Sequence, residues 1–256
     1  MKPLVFDLFC GLFGWGSSFS ESGYRVVGFD IEDQGANFGI PNPDGCELVL
    51  RDARAINGAD LVKEYGVPAC IVASPPCQEF SYMAMPWTKA KEKERKILSD
   101  AAEQKRLTEL FNQCFRIQRE VISAAGHYVP MVIENVRGAQ KWVGKARWNY
   151  GSFYLWGDVP ALMPIPSKHH VKVGNRFTNR DCGVEGTKRM NIHMSYAELK
   201  DGTKGFGDFN NCEMSRKYSS KSKARKRASD EIAKIPAVLA GWIAKCFKPQ
   251  YEKCSK

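Results

Sequence analysis

Short apolar runs recur through the first half of the chain, at Leu4 to Phe9, Arg25 to Phe29, Cys70 to Ala73 and Met131 to Ile133. They are rich in β-branched and aromatic residues and lack a polar alternate. That pattern predicts strands buried on both faces of a mostly parallel sheet. Ser152 to Trp156 reads as a further strand. From about Lys96 to Ala125 the period changes. Leu107, Leu110, Phe111, Cys114, Gln118, Val121 and Ile122 fall at three- and four-residue spacing, which predicts one long helix ended by Gly126. Ile235, Val238, Leu239, Trp242, Ile243 and Cys246 predict a second helix, with Pro236 in its first turn.

Together these elements predict an α/β fold, a doubly wound and mostly parallel sheet with a small irregular second domain. Residues 1–157 and 230–250 form the larger unit, and the last helix is expected to return against the N-terminal strand. From 158 to 229 the periodicity fades and Gly, Asn, Lys and Arg become frequent. Phe177, Met190, Ile192, Met194, Phe206 and Phe209 could build a minor core there. No internal repeat is present.

The 256 residues are 43% hydrophobic, enough for one substantial core and an appendage. No apolar run reaches the roughly 18 to 20 residues of a membrane helix. Asp7 interrupts the N-terminal apolar run too early for a signal peptide. A soluble, intracellular protein is expected. Nine scattered cysteines without a C-x-x-C pair argue against a disulfide framework or zinc ribbon. His169, His170, Cys182, His193 and Cys212 match no ligand spacing, so no metal is expected. The net charge of +10 favours a polyanionic partner, although solubility alone would also account for it. Arg216 to Arg227 holds seven basic residues and no acid. Such a stretch is either a solvated loop or a phosphate-contacting one.

Chemistry enters at three places. The first is Phe6-Asp7-Leu8-Phe9-Cys10-Gly11-Leu12-Phe13-Gly14, a strand running into a Gly-rich turn before a helix that starts near Ser17 or Ser18. Glycines let the backbone bend sharply and approach a ligand. Asp30 ends the next strand about twenty residues on, where an acid can accept from ribose hydroxyls. The spacing is not G-x-G-x-x-G, so a turn without ligand stays open. Asp7 before the turn would repel a pyrophosphate and suits a cationic sulfonium, which favours S-adenosylmethionine over NAD.

The second is Ser74-Pro75-Pro76-Cys77-Gln78, directly after an apolar strand. The prolines stiffen the loop and present the thiol at the carboxyl end of the strand, where α/β sites lie. Either Cys77 is a nucleophile or it is a loop cysteine with no role. The third is Ile133-Glu134-Asn135-Val136. A carboxyl at a buried strand end needs a partner or a proton. Asn135 can fix the turn, and structural hydrogen bonding is the alternative for both. On neighbouring strand ends, Cys77 and Glu134 would supply nucleophilic attack assisted by a carboxylic acid.

The order of these motifs resembles the C5-cytosine DNA methyltransferases, well over residues 4–140 and loosely at the C-terminal helix. Asp7, Phe9, Cys10, Gly11, Leu12 and Gly14 are similar to that family's cofactor motif, and Asp30 with Ile31 to its ribose-binding strand end. Asp52-Ala53 resembles its adenine-contacting acid. Pro76-Cys77-Gln78 with Ser81 matches its nucleophile loop, and Glu134-Asn135-Val136 its catalytic acid.

The resemblance implies a Rossmann-like methyltransferase domain that uses S-adenosylmethionine and binds double-stranded DNA as a monomer. Cys77 would add to C6 of a flipped cytosine, Glu134 would protonate N3, and C5 would take the methyl group. Gln78, Ser81 and Asn135 would contact the substrate, and Pro76 the cofactor. The segment from Glu79 to Arg95 would close over the base.

There are departures from the family pattern. Phe13 stands where the family has glycine, and Ile235-Pro236-Ala237 lacks the usual Gly-Asn lead. The Gln-x-Arg-x-Arg motif is not intact, and Arg147 is the nearest substitute for its cytosine-contacting arginine, with a plain surface charge as the alternative. Residues 158–229 would be a short target-recognition region. RNA cytosine methylation, an inactive DNA-binding relative and transfer of a modified group stay open. So do restriction-modification and phage genome-protection roles.

Overall fold

The computed structural model describes residues 2–80, 87–164 and 233–249. The chain folds in the order β1 (Leu4–Leu8), α1 (Gly14–Glu21), β2 (Arg25–Asp30), α2 (Gln34–Phe38), β3 (Cys46–Leu50), α3 (Gly58–Tyr65) and β4 (Cys70–Ala73). It continues through α4 (Trp87–Ser99), α5 (Ala101–Ala125), β5 (Met131–Asn135), a short 3-10 turn (Arg137–Ala139), α6 (Gln140–Val143), β6 (Trp148–Tyr150), β7 (Phe153–Gly157) and α7 (Ala237–Cys246).

The strands form one seven-stranded sheet in the order β3-β2-β1-β4-β5-β7-β6. The first five are parallel to one another, and β7 pairs antiparallel with both β5 and β6. This is the doubly wound α/β architecture that the apolar runs predict.

Both faces of the central strands are buried, which explains why those runs carry no polar alternate. Phe6, Leu8, Phe29, Ile71 and Ile133 turn to one side with Leu61 of α3 and Leu107, Phe111 and Ile117 of α5. Val5, Val26, Val72 and Val132 turn to the other with Trp15 and Phe19 of α1 and Leu239 and Ile243 of α7. Each such side chain contributes about 1.5–3 kcal/mol. The last helix does return to the N-terminal part of the sheet. The Tyr24 hydroxyl donates to the Ala244 carbonyl at 2.9 Å, and Gly14 leaves so little room that a Cβ there would sit 2.7 Å from the Ile235 nitrogen.

Several boundaries differ from the sequence reading. The helix expected from Lys96 to Ala125 is two helices. Asp100 breaks the run by capping α5, its carboxylate accepting from the Ala102 and Glu103 backbone at 2.8 and 3.3 Å. Lys96–Ser99 therefore belongs to α4, and residues 87–95, expected in a closing loop, are helical. The α1 helix starts at Gly14 rather than near Ser17. Pro236 caps α7 instead of lying in its first turn.

β3 and β6 are strands that the apolar pattern does not mark. β3 is an edge strand with no fully buried residue, and β6 is three residues long, so neither shows a continuous apolar signal. Residues 165–229 of the expected second domain, with its basic stretch and its His and Cys residues, lie outside the described residues. Among the described residues no helix is long and apolar enough to cross a membrane.

Candidate active site

In chain order the sheet grows from β1 to β2 to β3, then restarts on the other side of β1 with β4 and β5. The carboxyl ends of β1 and β4 thus flank a topological switch point, the place where an open α/β sheet leaves a crevice. All three sequence motifs end at this crevice. The turn from Phe9 to Phe13 leaves β1, the loop from Ser74 to Phe80 leaves β4, and Glu134-Asn135 ends the neighbouring β5. Leu8, Ala73 and Ile133 are paired across the three strands, so the residues that follow them stand side by side.

The β1 turn is held from below. Asp7 is fully buried, and one carboxylate oxygen, Oδ2, accepts the Gly16 N–H at 3.1 Å, fixing the start of α1. Its Oδ1 has no hydrogen-bond partner. Burial raises this carboxyl well above its ordinary range, against the Gly16 hydrogen bond and with help from the Asp30 charge. Asp30 reaches across from β2, accepting the Gly11 N–H at 2.9 Å and the Ile31 N–H at 2.8 Å. Burial raises the Asp30 carboxyl too, opposed by those backbone donors.

Phe9 and Phe13 both take left-handed backbone conformations, at φ 59° and 53°. Such a conformation costs a non-glycine residue about 1–3 kcal/mol. Phe13 thus takes a backbone conformation that favours glycine. Room for the ring comes from two glycines. A Cβ on Gly28 would lie 2.4 Å from the Phe13 ring, and one on Gly16 2.6 Å from it. Phe13 is buried as a result, so the phenylalanine is accommodated below the turn.

The loop from Ser74 to Phe80 is tied to both neighbouring strands. Ser74 N–H donates to the Leu8 carbonyl at 3.1 Å, and its hydroxyl accepts the Trp15 indole N–H at 3.0 Å. The buried Asn135 side chain donates to the Pro75 carbonyl at 2.9 Å and accepts the Val136 N–H at 2.8 Å. Asn135 thus fixes the turn after Glu134 and also the loop before Cys77. Phe80 is buried in the core, and its N–H donates to the Cys77 carbonyl at 3.0 Å. Cys77 is left half-buried between these anchors, while Pro76 and Gln78 beside it are exposed. Glu134 is buried, and strand alternation places it on the same sheet face as Val132, Val72 and Asp7.

Environment separates the cysteines. Burial pushes the Cys10, Cys70 and Cys114 thiols far above their ordinary value. It pushes Cys46 up to about 12 and raises Cys246 as well. None of these is poised to become a thiolate. Among the described cysteines, Cys77 is the one at a strand-end crevice with a buried carboxyl on the adjoining strand.

The remaining predicted residues fall in different places. Half-buried Leu12 and Gly14 lie on the turn with Gly11, and exposed Ile31 follows Asp30. Asp52 is engaged locally, accepting the Arg54 N–H at 2.9 Å and pairing with its guanidinium at 3.3 Å. Buried Ala53 gives its carbonyl to Arg116 of α5 at 2.9 Å. Arg147 is exposed just before β6, two strands from Glu134, and its backbone N–H donates to the Leu155 carbonyl at 2.8 Å. The described contacts do not bring it to Cys77. Ser81 lies outside the described residues. The sequence reading missed Trp15, Ser74 and Arg106, whose side chains hold the loop that carries Cys77, and Leu50, exposed at the end of β3 beside Asp30. Among the described residues there is no cluster of three or more metal-ligating side chains.

No family model matches the chain, and no curated protein does. Solved structures with partial likeness include a DNA modification methyltransferase encoded within an E. coli prophage, at 20% identity and a TM-score of 0.34 over 54% of this chain and 33% of that one. Entamoeba histolytica methyltransferase EhMeth is 16% identical at a TM-score of 0.39, over 65% of this chain and 57% of that one. A Spodoptera frugiperda DNMT2 mutant is 19% identical at 0.33, over 55% and 37%. The chain spans between a third and just over a half of the length of these proteins.

Proposed function

We propose that the protein is an S-adenosylmethionine-dependent methyltransferase that acts on C5 of cytosine in double-stranded DNA. One observation carries the reading: the glycine turn, the Cys77 loop and Glu134 occupy three adjacent strand ends at one switch point. Separate segments of the sequence thereby supply a cofactor turn, a thiol and a carboxyl to a single crevice. The positive net charge suits a nucleic-acid substrate.

The residues at the β1 and β2 ends fit the cofactor in kind. Gly11, at φ 50°, gives close backbone approach, and Asp30 is an acid suited to ribose hydroxyls. Ile31 and Leu50, 71% and 60% exposed on either side of Asp30, offer apolar surface for a base. When bound, S-adenosylmethionine supplies an electrophilic methyl group.

The protein's own groups do the rest. The Cys77 thiolate adds to C6 of a cytosine that has left the stack. The Glu134 carboxyl protonates N3, so that addition at C6 leaves a neutral enamine with a nucleophilic C5 instead of an anion in the ring. After C5 has been methylated, loss of its proton to a base returns the electron pair and expels Cys77 from C6. Asn135 keeps the two groups in register by holding the Pro75 carbonyl.

Incubating purified protein with genomic DNA and tritium-labelled S-adenosylmethionine tests the reading. Label retained in C5-methylated deoxycytidine supports it. Label in RNA alone, offered in parallel, would move the substrate to RNA, and label in neither would overturn the activity.

A further inference from the structure

Beyond Cys77 the loop has a second anchor, made of charges that the proposed chemistry does not use. Glu79, two residues after Cys77, receives both arms of the Arg106 guanidinium, at 2.7 Å on Oε1 and 2.8 Å on Oε2. Lys93 of α4 approaches the same carboxylate at 3.7 Å, and Arg106 is itself steadied by Glu103 at 3.1 Å. The Arg106 hydrogen bonds hold the Glu79 carboxyl below its ordinary range. The next residue on α5, Leu107, is buried in the core, and Phe111 one turn on is too, so the guanidinium projects from a fixed frame.

A single exposed ion pair adds little to stability. A bidentate fork has another consequence, because it sets direction as well as distance. Upstream, Trp15 holds Ser74 and Asn135 holds Pro75. Downstream, Arg106 holds Glu79 and the core holds Phe80. Cys77 lies between the two pairs of restraints. Of the four, the Arg106 fork is the one on the solvent side, 50% exposed on the arginine and 43% on the glutamate. It is therefore the restraint that can be removed without opening the core.

We propose that Arg106 is a positioning residue: through its fork on Glu79 it holds the Cys77 loop, and so the thiol, in the geometry needed for attack. The inference rests on the reading of Cys77 as the nucleophile.

Alkylation of Cys77 by iodoacetamide, followed by peptide mass spectrometry, measures loop order without nucleic acid or cofactor. In Arg106→Gln and Glu79→Gln the loop opens more often, and the alkylation rate rises by about threefold or more. Arg106→Lys keeps the charge but loses the fork and falls between them and the wild type. Methyl transfer by the two neutral variants drops about tenfold in kcat, because the thiol is misplaced. The KM for S-adenosylmethionine stays within about twofold, since binding is not touched. Melting temperatures within about 2 °C of the wild type establish that the variants fold, and Glu79→Gln carries the test alone if Arg106→Gln does not.

Wild-type alkylation and wild-type kcat in the folded variants would overturn the proposal. If the wild type itself transfers no methyl group, the functional reading fails, and the alkylation rate still decides whether Arg106 orders the loop.

Discussion

The Asn135 side chain donates to the Pro75 carbonyl at 2.9 Å, joining the strand end that carries Glu134 to the loop that carries Cys77. Both partners are buried, and the two segments lie 60 residues apart in sequence. One amide thus sets the spacing between the proposed acid and the proposed nucleophile.

Replacing Asn135 with Ala leaves the Pro75 carbonyl and the Val136 N–H without their buried partner. The expected loss is about 1–3 kcal/mol of folding stability, read by urea unfolding. Methyl transfer is expected to fall by a larger factor than unfolding explains, because residual folded protein has lost its register. Unchanged stability in Asn135→Ala would contradict the buried tie.

Phe13 and Gly28 form a second testable pair. Gly28→Ala brings a Cβ to 2.4 Å from the Phe13 ring and 2.8 Å from the Cys10 sulfur. In a packed core this overfilling costs about 1–3 kcal/mol. Phe13→Gly removes the left-handed strain but also the buried ring, and the cavity dominates with a loss of about 3 kcal/mol. The double variant is expected to be more stable than the sum of the two single losses, because the added methyl enters the vacated space. Additive losses would show that the ring does not depend on Gly28.

Thiol mapping separates Cys77 from its neighbours. At pH 8 iodoacetamide is expected to label Cys77 well before Cys10, Cys70 and Cys114, whose thiols burial pushes far up. Cys46, raised to about 12, is expected to react slowly as well. Rapid labelling of any of these four in the folded protein would contradict the burial described.

Asp7 predicts a pH dependence of stability. Its folded pKa lies above the unfolded value of about 3.9, chiefly through burial. In that interval the folded state binds more protons than the unfolded state, so stability falls as pH rises. The stability is fully present below the unfolded value and declines up to the raised folded value. Asp7→Asn abolishes this titration. The difference in unfolding free energy between Asp7→Asn and wild type is therefore expected to shift in favour of the variant as pH increases from about 4. A constant difference would mean that Asp7 is not held near its neutral form.

Much of this fold is legible along the chain because β1, β2, β4 and β5 are buried on both faces and so carry long apolar runs. β3 escapes the same reading since its side chains are all partly or fully exposed, and β6 is too short to show a period. The break at Asp100 did leave a trace, an Asp followed three residues later by Glu103, which is a helix-start pattern. Helix-forming residues on both sides of Asp100 hide that break from a reading by composition. At the site, Cys77 and Glu134 stand out as reactive types at the ends of apolar runs. Trp15, Ser74 and Arg106 do not, since their roles arise from contacts between segments 59 and 27 residues apart. Periodicity records which face a residue turns, not which distant loop it meets.

The central claim is tested most directly by mass spectrometry of nucleosides from cells expressing the wild type, Cys77→Ala and Glu134→Gln. The account predicts 5-methyldeoxycytidine in DNA with the wild type, none above background with Cys77→Ala, and a strong reduction with Glu134→Gln. Equal amounts of 5-methyldeoxycytidine with wild type and Cys77→Ala, or no change in DNA with the wild type, would contradict it.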